Sequence, residues 1–386
     1  MRKSITCLFL SVGVLLYVAA GGCGEDSTHK PDATVQNKLA TSLHATTRGM
    51  EYWYEREQGG FETLTGIPYD ELSCKTCHVD PTSCGTCHST AQAAELSEPV
   101  GSSHAAAPSA AVVTSRAIVP SQGDGDCLRC HGFQSAEIFF HLSDYHRDVE
   151  GLGCRDCHNS DEIHGDGTAY NSLHEPGAMT TSCSNKDCHD AVASNEFHDN
   201  HSGESPIGHK MECAACHVQS VVTCYSCHFE SEVQGLGKFA LGQFANWKFL
   251  LRRDRGDGEL KIDTGNMLTA TYQGKAFVAL GPFYAHTVNK NAVTDCGDCH
   301  NNEYVQEYNN TGKIVIATWN ETEGMLVANI KGKGIIPIPP DWRETLEFDF
   351  ATYDDDGQGT PEIIQLEPSE VGKQMLFAEP LEALPE

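Results

Sequence analysis

Cysteine and histidine recur together along the 386-residue chain in a pattern that few folds can accommodate. Sixteen of the eighteen cysteines form eight close pairs, and a histidine directly follows the second cysteine of every pair. Seven pairs read C-x-x-C-H, whereas Cys183 and Cys188, before His189, are separated by four residues. Seven motifs lie between residues 74 and 228, about 22 residues for each, which is too little chain for a conventional side-chain core. The sixteen cysteines are Cys74, Cys77, Cys84, Cys87, Cys127, Cys130, Cys154, Cys157, Cys183, Cys188, Cys213, Cys216, Cys224, Cys227, Cys296 and Cys299.

This spacing suits covalent attachment of c-type haem. Two thiols one turn apart add to the two vinyl groups of a haem, and the adjoining histidine ligates its iron. Zinc sites and exported disulfide frameworks also use paired cysteines, but neither needs a histidine directly after every second cysteine. The sequence therefore predicts eight covalent haems c, of which the stretched motif is a longer-spaced variant. Their proximal iron ligands are predicted to be His78, His88, His131, His158, His189, His217, His228 and His300.

On these motifs the chain resembles the bacterial octahaem c-type cytochromes over roughly residues 74–300, including those of outer-membrane and extracellular electron transfer and of cytochrome nanowires. The resemblance implies export, electron transfer and a characteristic fold. That fold has little regular secondary structure, with short helices around a haem chain, and we expect a small β-rich C-terminal region in addition.

Histidines outside the motifs are numerous enough to supply a second axial ligand to every haem. Ligation by two histidines closes both axial positions, which suits electron transfer better than catalysis. His198 and His201, three residues apart, are expected to face two neighbouring haems, and His286 lies nearest the last motif. The predicted distal ligands are His44, His141, His146, His164, His174, His198, His201, His209 and His286.

The N-terminus has the features of a bacterial lipoprotein signal. Arg2 and Lys3 precede an apolar run that is too short to span a bilayer and ends in small residues before Cys23. Cleavage there makes Cys23 the lipidation site, whereas ordinary signal cleavage near Ala20 would leave it a plain thiol. We expect an exported chain that is an outer-membrane lipoprotein, at the cell surface or extracellular.

Composition and motif spacing divide the chain into seven segments. The predicted segments are the signal peptide 1–22, a tether 23–33, an N-terminal helix with haems 1 and 2 at 34–90, a linker 91–126, haems 3–7 at 127–230, a β-rich insert with haem 8 at 231–300, and a β-rich acidic region 301–386.

Charge and motif chemistry restrict the expected partners. Asp and Glu number 54 against 26 Lys and Arg, and the net charge of −28 argues against nucleic-acid binding. Other cytochromes, copies of the chain in a filament, and extracellular or periplasmic electron acceptors are the expected partners. The expected function is electron transfer rather than enzyme catalysis. The alternatives are a periplasm-facing partner of a porin–cytochrome conduit, and an octahaem reductase of a nitrogen or sulfur oxyanion.

Overall fold

The computed structural model describes residues 37–72, 125–185, 188–189, 194–201, 210–235, 239–354 and 362–386. The predicted signal peptide, Cys23, the first two motifs, His209 and nearly all of the predicted linker lie outside these residues. Eleven strands are present in the described part of the chain: β1 Val221–His228, β2 Phe239–Arg253, β3 Lys261–Tyr272, β4 Lys275–Pro282, β5 Ile314–Asn320, β6 Met325–Ala328, β7 Ile335–Pro337, β8 Leu346–Phe348, β9 Phe350–Asp354, β10 Glu362–Leu366 and β11 Val371–Met375.

The central feature is a curled six-stranded mixed sheet in the order β11-β4-β3-β1-β2-β7. Its curl comes from β2, whose first half pairs antiparallel with β1 and whose second half, from Phe249 to Arg253, pairs antiparallel with β3. On its other edge β2 pairs in parallel with β7. Because β2 pairs with β1 along its first half and with β3 along its second half, the sheet curls. Strands β6-β5-β8 form a second sheet and β10-β9 a third.

An aromatic and aliphatic core lies between the curled sheet and the smaller sheets. Trp247 and Phe249 of β2 are fully buried there, together with Ile314 of β5 and Phe350 of β9. The indole Nε1 of Trp247 donates to Thr223 Oγ1 over 3.0 Å, so the largest core side chain also satisfies its polar atom.

The expected fold class is therefore wrong. The β structure is neither small nor confined to the C-terminal region, since it begins at Val221 and includes the C-x-x-C-H motif of Cys224, Cys227 and His228. The predicted β-rich insert at 231–300 does contain strands, namely β2, β3 and β4. The 15-residue β2 was missed because most of its second half is buried, which removes the alternation of polar and apolar residues that marks a half-exposed strand.

Helices are short and surround the sheet. The longest among the described residues has nine residues, Glu303–Thr311. No helix in the described part of the chain is long and apolar enough to cross a bilayer. The other α-helices are Arg48–Tyr54, Glu62–Thr65, Gly125–Leu128, Gly132–Phe139, Tyr145–Asp148, Cys154–Cys157, Ser160–His164, Glu196–His201, Cys213–His217, Phe229–Val233 and Trp342–Thr345.

Candidate functional site

Three described motifs form a single helical turn, which explains the C-x-x-C spacing. Cys154–Cys157 and Cys213–His217 are α-helical, and Cys296–Asp298 is a 3₁₀ turn. Residues three apart in such turns lie on one side, so both thiols face the same way. An aspartate inside two of these motifs fixes the turn, because Asp156 Oδ2 accepts from Gly153 N over 2.7 Å and Asp298 Oδ2 accepts from Asp295 N over 3.0 Å.

One motif lies in a strand instead. Cys224, Cys227 and His228 belong to β1, where residues three apart would ordinarily point to opposite faces. Ser226 interrupts the alternation with a φ of 48°. As a result Cys227 is buried in the same apolar cluster against which Cys224 packs, and both cysteines of the motif lie on one face.

The main finding is that five motif histidines each face a histidine from outside the motifs. Every one of the five partners is among the predicted distal ligands, and the two rings of each pair have centroids 6.0 to 6.3 Å apart. The pairs are His131 with His44 at 6.0 Å, His189 with His146 at 6.1 Å, His158 with His286 at 6.1 Å, His217 with His198 at 6.2 Å, and His300 with His201 at 6.3 Å.

These separations fit one metal ion between each pair of rings. A histidine nitrogen binds a transition-metal ion at about 2.0–2.1 Å, and the ring centroid lies about 1.1 Å behind that nitrogen, so two rings on opposite sides of one ion have centroids about 6.2 Å apart. Directly stacked or hydrogen-bonded imidazoles would not all settle at this value. The residues present therefore fit bis-histidine ligation of haem iron. Among the described residues, no group of three or more His, Cys, Asp or Glu side chains is arranged to hold a bare metal ion.

Hydrogen bonds orient several of the facing rings through Nδ1. His158 Nδ1 lies 2.8 Å from Glu162 Oε2, and His201 Nδ1 lies 2.7 Å from the carbonyl oxygen of Phe197. An acceptor at Nδ1 fixes the tautomer and leaves Nε2 as the ligating atom. Glu162 is itself held ionised: burial alone would raise its pKa, but hydrogen bonds from Thr180, His158 and Thr181 lower it to about 2.

Burial favours the neutral form of four paired imidazoles, and the neutral form is the one that ligates a metal. Burial is the largest cause of the lowered pKa of His44, His131 and His217, and with the neighbouring His158 it lowers the pKa of His286 to about 4. The electrostatics of these four imidazoles therefore suit metal ligation at neutral pH.

The five paired sites adjoin one another in the order in which their motifs occur along the chain, whereas the histidines that face the motif histidines do not follow that order. After burial, the His158 imidazole is the next cause of the lowered pKa of both His131 and His286, so the pairs of His131 and His158 are neighbours. The Cys154/Cys157 site in turn adjoins the Cys183/Cys188 site. Burial is the largest cause of the raised pKa of Cys157, and Cys188 lies close enough to raise it further.

The remaining neighbours are also in contact through cysteines. The Cys183 and Cys213 thiols lie close enough to interact, and this interaction raises the pKa of Cys183. Burial is the largest cause of the raised pKa of Cys299, Lys248 opposes it, and Cys216 lies close enough to raise that pKa further. We call these five sites, taken in this spatial order, the five-site series: Cys127/Cys130, Cys154/Cys157, Cys183/Cys188, Cys213/Cys216 and Cys296/Cys299.

Other predicted ligands are not brought to a motif histidine among the described residues. His141 is exposed with a φ of 55°, and His164 Nδ1 bonds to Ser160 Oγ over 3.0 Å. His174 is buried and stacks on Tyr284 with ring centroids 5.3 Å apart. Among the described motif histidines, His228 has the ring of Tyr353 at 5.0 Å, and no other histidine that the structure describes faces it.

Two expectations about pairing have different outcomes. His198 and His201 do face two neighbouring sites, since their partners His217 and His300 belong to adjoining members of the series. The nearness of His286 to the last motif in sequence does not predict its partner, since the histidine of that motif, His300, faces His201. His286 faces His158 instead, because the segment after β4 passes beside Glu137, whose carboxylate accepts from the backbone N of His286.

Lys248 is a functional candidate that sequence reasoning missed. It is 1% exposed, and its Nζ donates to the carbonyl oxygens of Ala215 over 2.6 Å and Val218 over 2.7 Å, at either side of Cys216 and His217. The available signal was a lysine flanked by Trp247 and Phe249 inside an apolar run, which places a cation in a buried strand.

The comparisons give no family. No family model, curated protein or solved structure matches this chain.

Proposed function

We propose that this chain is a multihaem c-type electron-transfer protein, with covalent haem at each Cys/His motif and bis-histidine ligation at the five-site series. The single observation that supports it best is the facing of five motif histidines by five other histidines at 6.0 to 6.3 Å. When bound, haem supplies an iron that exchanges one electron between its ferrous and ferric states.

The protein's own residues perform the remaining tasks. Paired thiols would hold the haem covalently, and the two facing imidazoles at each site of the five-site series would both ligate its iron, which would exclude an exogenous ligand. Acceptors such as Glu162 hold the rings in one orientation through Nδ1. Adjacency of the sites through pairs such as Cys183 and Cys213 supports transfer from one site to the next.

The proposal extends to location. The apolar N-terminal run before Cys23 supports export and lipid anchoring, with the chain at the outer membrane or beyond it. The partners proposed are other cytochromes, copies of this chain, or electron acceptors outside the cytoplasm. Accessibility of the chain to protease on intact cells tests this placement against a periplasm-facing role beside a porin.

Purified protein tests the haem and ligation assignments together. Intact mass and a pyridine haemochrome assay are expected to give eight covalent haems per chain. Near-infrared magnetic circular dichroism is expected to show bis-histidine low-spin haem for at least five of them. A mass without haem would overturn the proposal. A high-spin component that binds cyanide and reduces nitrite would instead favour the octahaem reductase.

A further inference from the structure

Lys248 is a buried cation placed between two members of the five-site series. Its side chain projects from β2 toward the helix Cys213–His217, where Nζ donates to two backbone carbonyl oxygens. These carbonyls belong to the end of the helix and the residue beyond it, which lack partners within the helix. Lys248 therefore fixes the last turn of a haem-attachment motif.

The charge of Lys248 acts on two motifs at once. Cys299 packs against the apolar cluster that contains Ala215, and the Ala215 carbonyl oxygen accepts from Lys248 Nζ. Burial raises the pKa of the Cys216 and Cys299 thiols, and the positive charge of Lys248 is the next influence and lowers both. Burial lowers the pKa of Lys248 itself to about 8, so the side chain is protonated at neutral and lower pH. Because it is 1% exposed, little solvent screens this charge from either site.

On the basis of the proposed function, we propose that Lys248 raises the reduction potentials of the two haems attached at Cys213/Cys216 and at Cys296/Cys299 relative to the rest of the five-site series. A fixed positive charge disfavours the ferric state, which carries one more positive charge than the ferrous state. Net charge and burial around a haem are established determinants of its potential. The two sites are neighbours at one end of the series, so electrons would collect there.

Two neutral variants and a surface control test this inference. Lys248→Gln removes the charge and retains amide donors for the carbonyls of Ala215 and Val218, whereas Lys248→Met removes both. Lys275→Gln removes a charge that is paired with Glu370 at the far side of the sheet, with Nζ and Oε2 3.6 Å apart. The measurement is spectroelectrochemical titration of the haem-loaded full chain at pH 6, where Lys248 is charged.

The expected result is a shift of two of the eight midpoint potentials to more negative values in Lys248→Gln, while the other six stay in place. Lys275→Gln is expected to superimpose on the wild type. Should Lys248→Gln fail to load haem, Lys248→Met carries the same expectation. Superimposable titrations of wild type and the loaded neutral variant overturn the inference, as does an equal shift of all eight potentials. The proposed function fails separately, through haem content and ligation of the wild type.

Discussion

The rings of His158 and His286 face each other with centroids 6.1 Å apart, although one follows a cysteine pair and the other follows β4. Such a pair exists only after the chain between them has folded, because His286 is held by a backbone hydrogen bond to the buried Glu137. The sheet therefore determines which histidine completes which site.

Replacing His286 with methionine tests that pairing. The thioether attachment at Cys154 and Cys157 remains in His286→Met, so the haem content is expected to stay at eight. One haem is expected to lose its bis-histidine spectrum, and with methionine ligation its potential rises by on the order of 0.2 V. Magnetic circular dichroism and a redox titration measure the two effects.

His141→Met is the matched control for this substitution. The His141 side chain is exposed, and its ring faces no motif histidine among the described residues, so no change in ligation is expected. A bis-histidine signal of unchanged amplitude in His286→Met would contradict the pairing.

The stretched motif is expected to carry haem like the other seven. His189 already faces His146 at 6.1 Å, so four intervening residues still bring the histidine into position. The double variant Cys183→Ser with Cys188→Ser is expected to lose the mass of one haem. Cys154→Ser with Cys157→Ser, in a motif of ordinary spacing, should lose the same mass. An unaltered mass in the first variant alone would show that the stretched motif does not bind haem.

The pairing of β2 with β7 is expected to require glycine at position 334. Gly334 has a φ of 69°, its carbonyl accepts from Lys248 N over 2.8 Å, and a Cβ there would overlap the Asn246 backbone. Gly334→Ala combines backbone strain with a steric clash and is expected to cost about 2–4 kcal/mol in free energy of unfolding.

Gly324→Ala separates these two effects. Gly324 has a φ of 61° but nothing within 4 Å of its added Cβ, so only the strain of about 1 kcal/mol is expected. Urea unfolding followed by far-UV circular dichroism compares the two variants. Equal losses would mean that the close approach of Gly334 to β2 is not a packing constraint.

The lowered pKa of Lys248 predicts that the stability of the folded protein depends on pH. Burial lowers its pKa from 10.5 to about 8, so between these values the unfolded chain binds a proton that the folded chain has released. Stability should therefore rise with pH over this window, by up to about 3 kcal/mol from this group, with the full gain above pH 10.5 and none below pH 8.

The difference in free energy of unfolding between wild type and Lys248→Met isolates the pH-dependent contribution of Lys248. Denaturation midpoints are measured from pH 7 to pH 10.5, and the wild type is expected to gain stability relative to the variant as pH rises. Curves that run parallel across this range would show that Lys248 keeps an ordinary pKa in the folded protein.

The sequence shows the cysteine and histidine motifs directly but not the architecture that combines them. The spacing of cysteine and histidine within a motif is a local feature, so the motif from Cys213 to His217 can be recognised in the sequence alone. The pairing of His158 with His286 depends on contacts between distant segments and carries no local signal. Likewise, β2 was missed because its buried second half lacks alternation. The β-rich region expected at the C-terminus adds β7 and β11 to the curled sheet that includes β1, and its other strands form two smaller sheets.

The most direct test of the account is to locate iron in crystals of the haem-loaded protein by anomalous diffraction at the iron edge. The account predicts eight iron peaks, five of them midway between the paired rings of His131 and His44, His158 and His286, His189 and His146, His217 and His198, and His300 and His201. Iron absent from these midpoints, or bound beside a motif histidine with the facing histidine turned away, would contradict it.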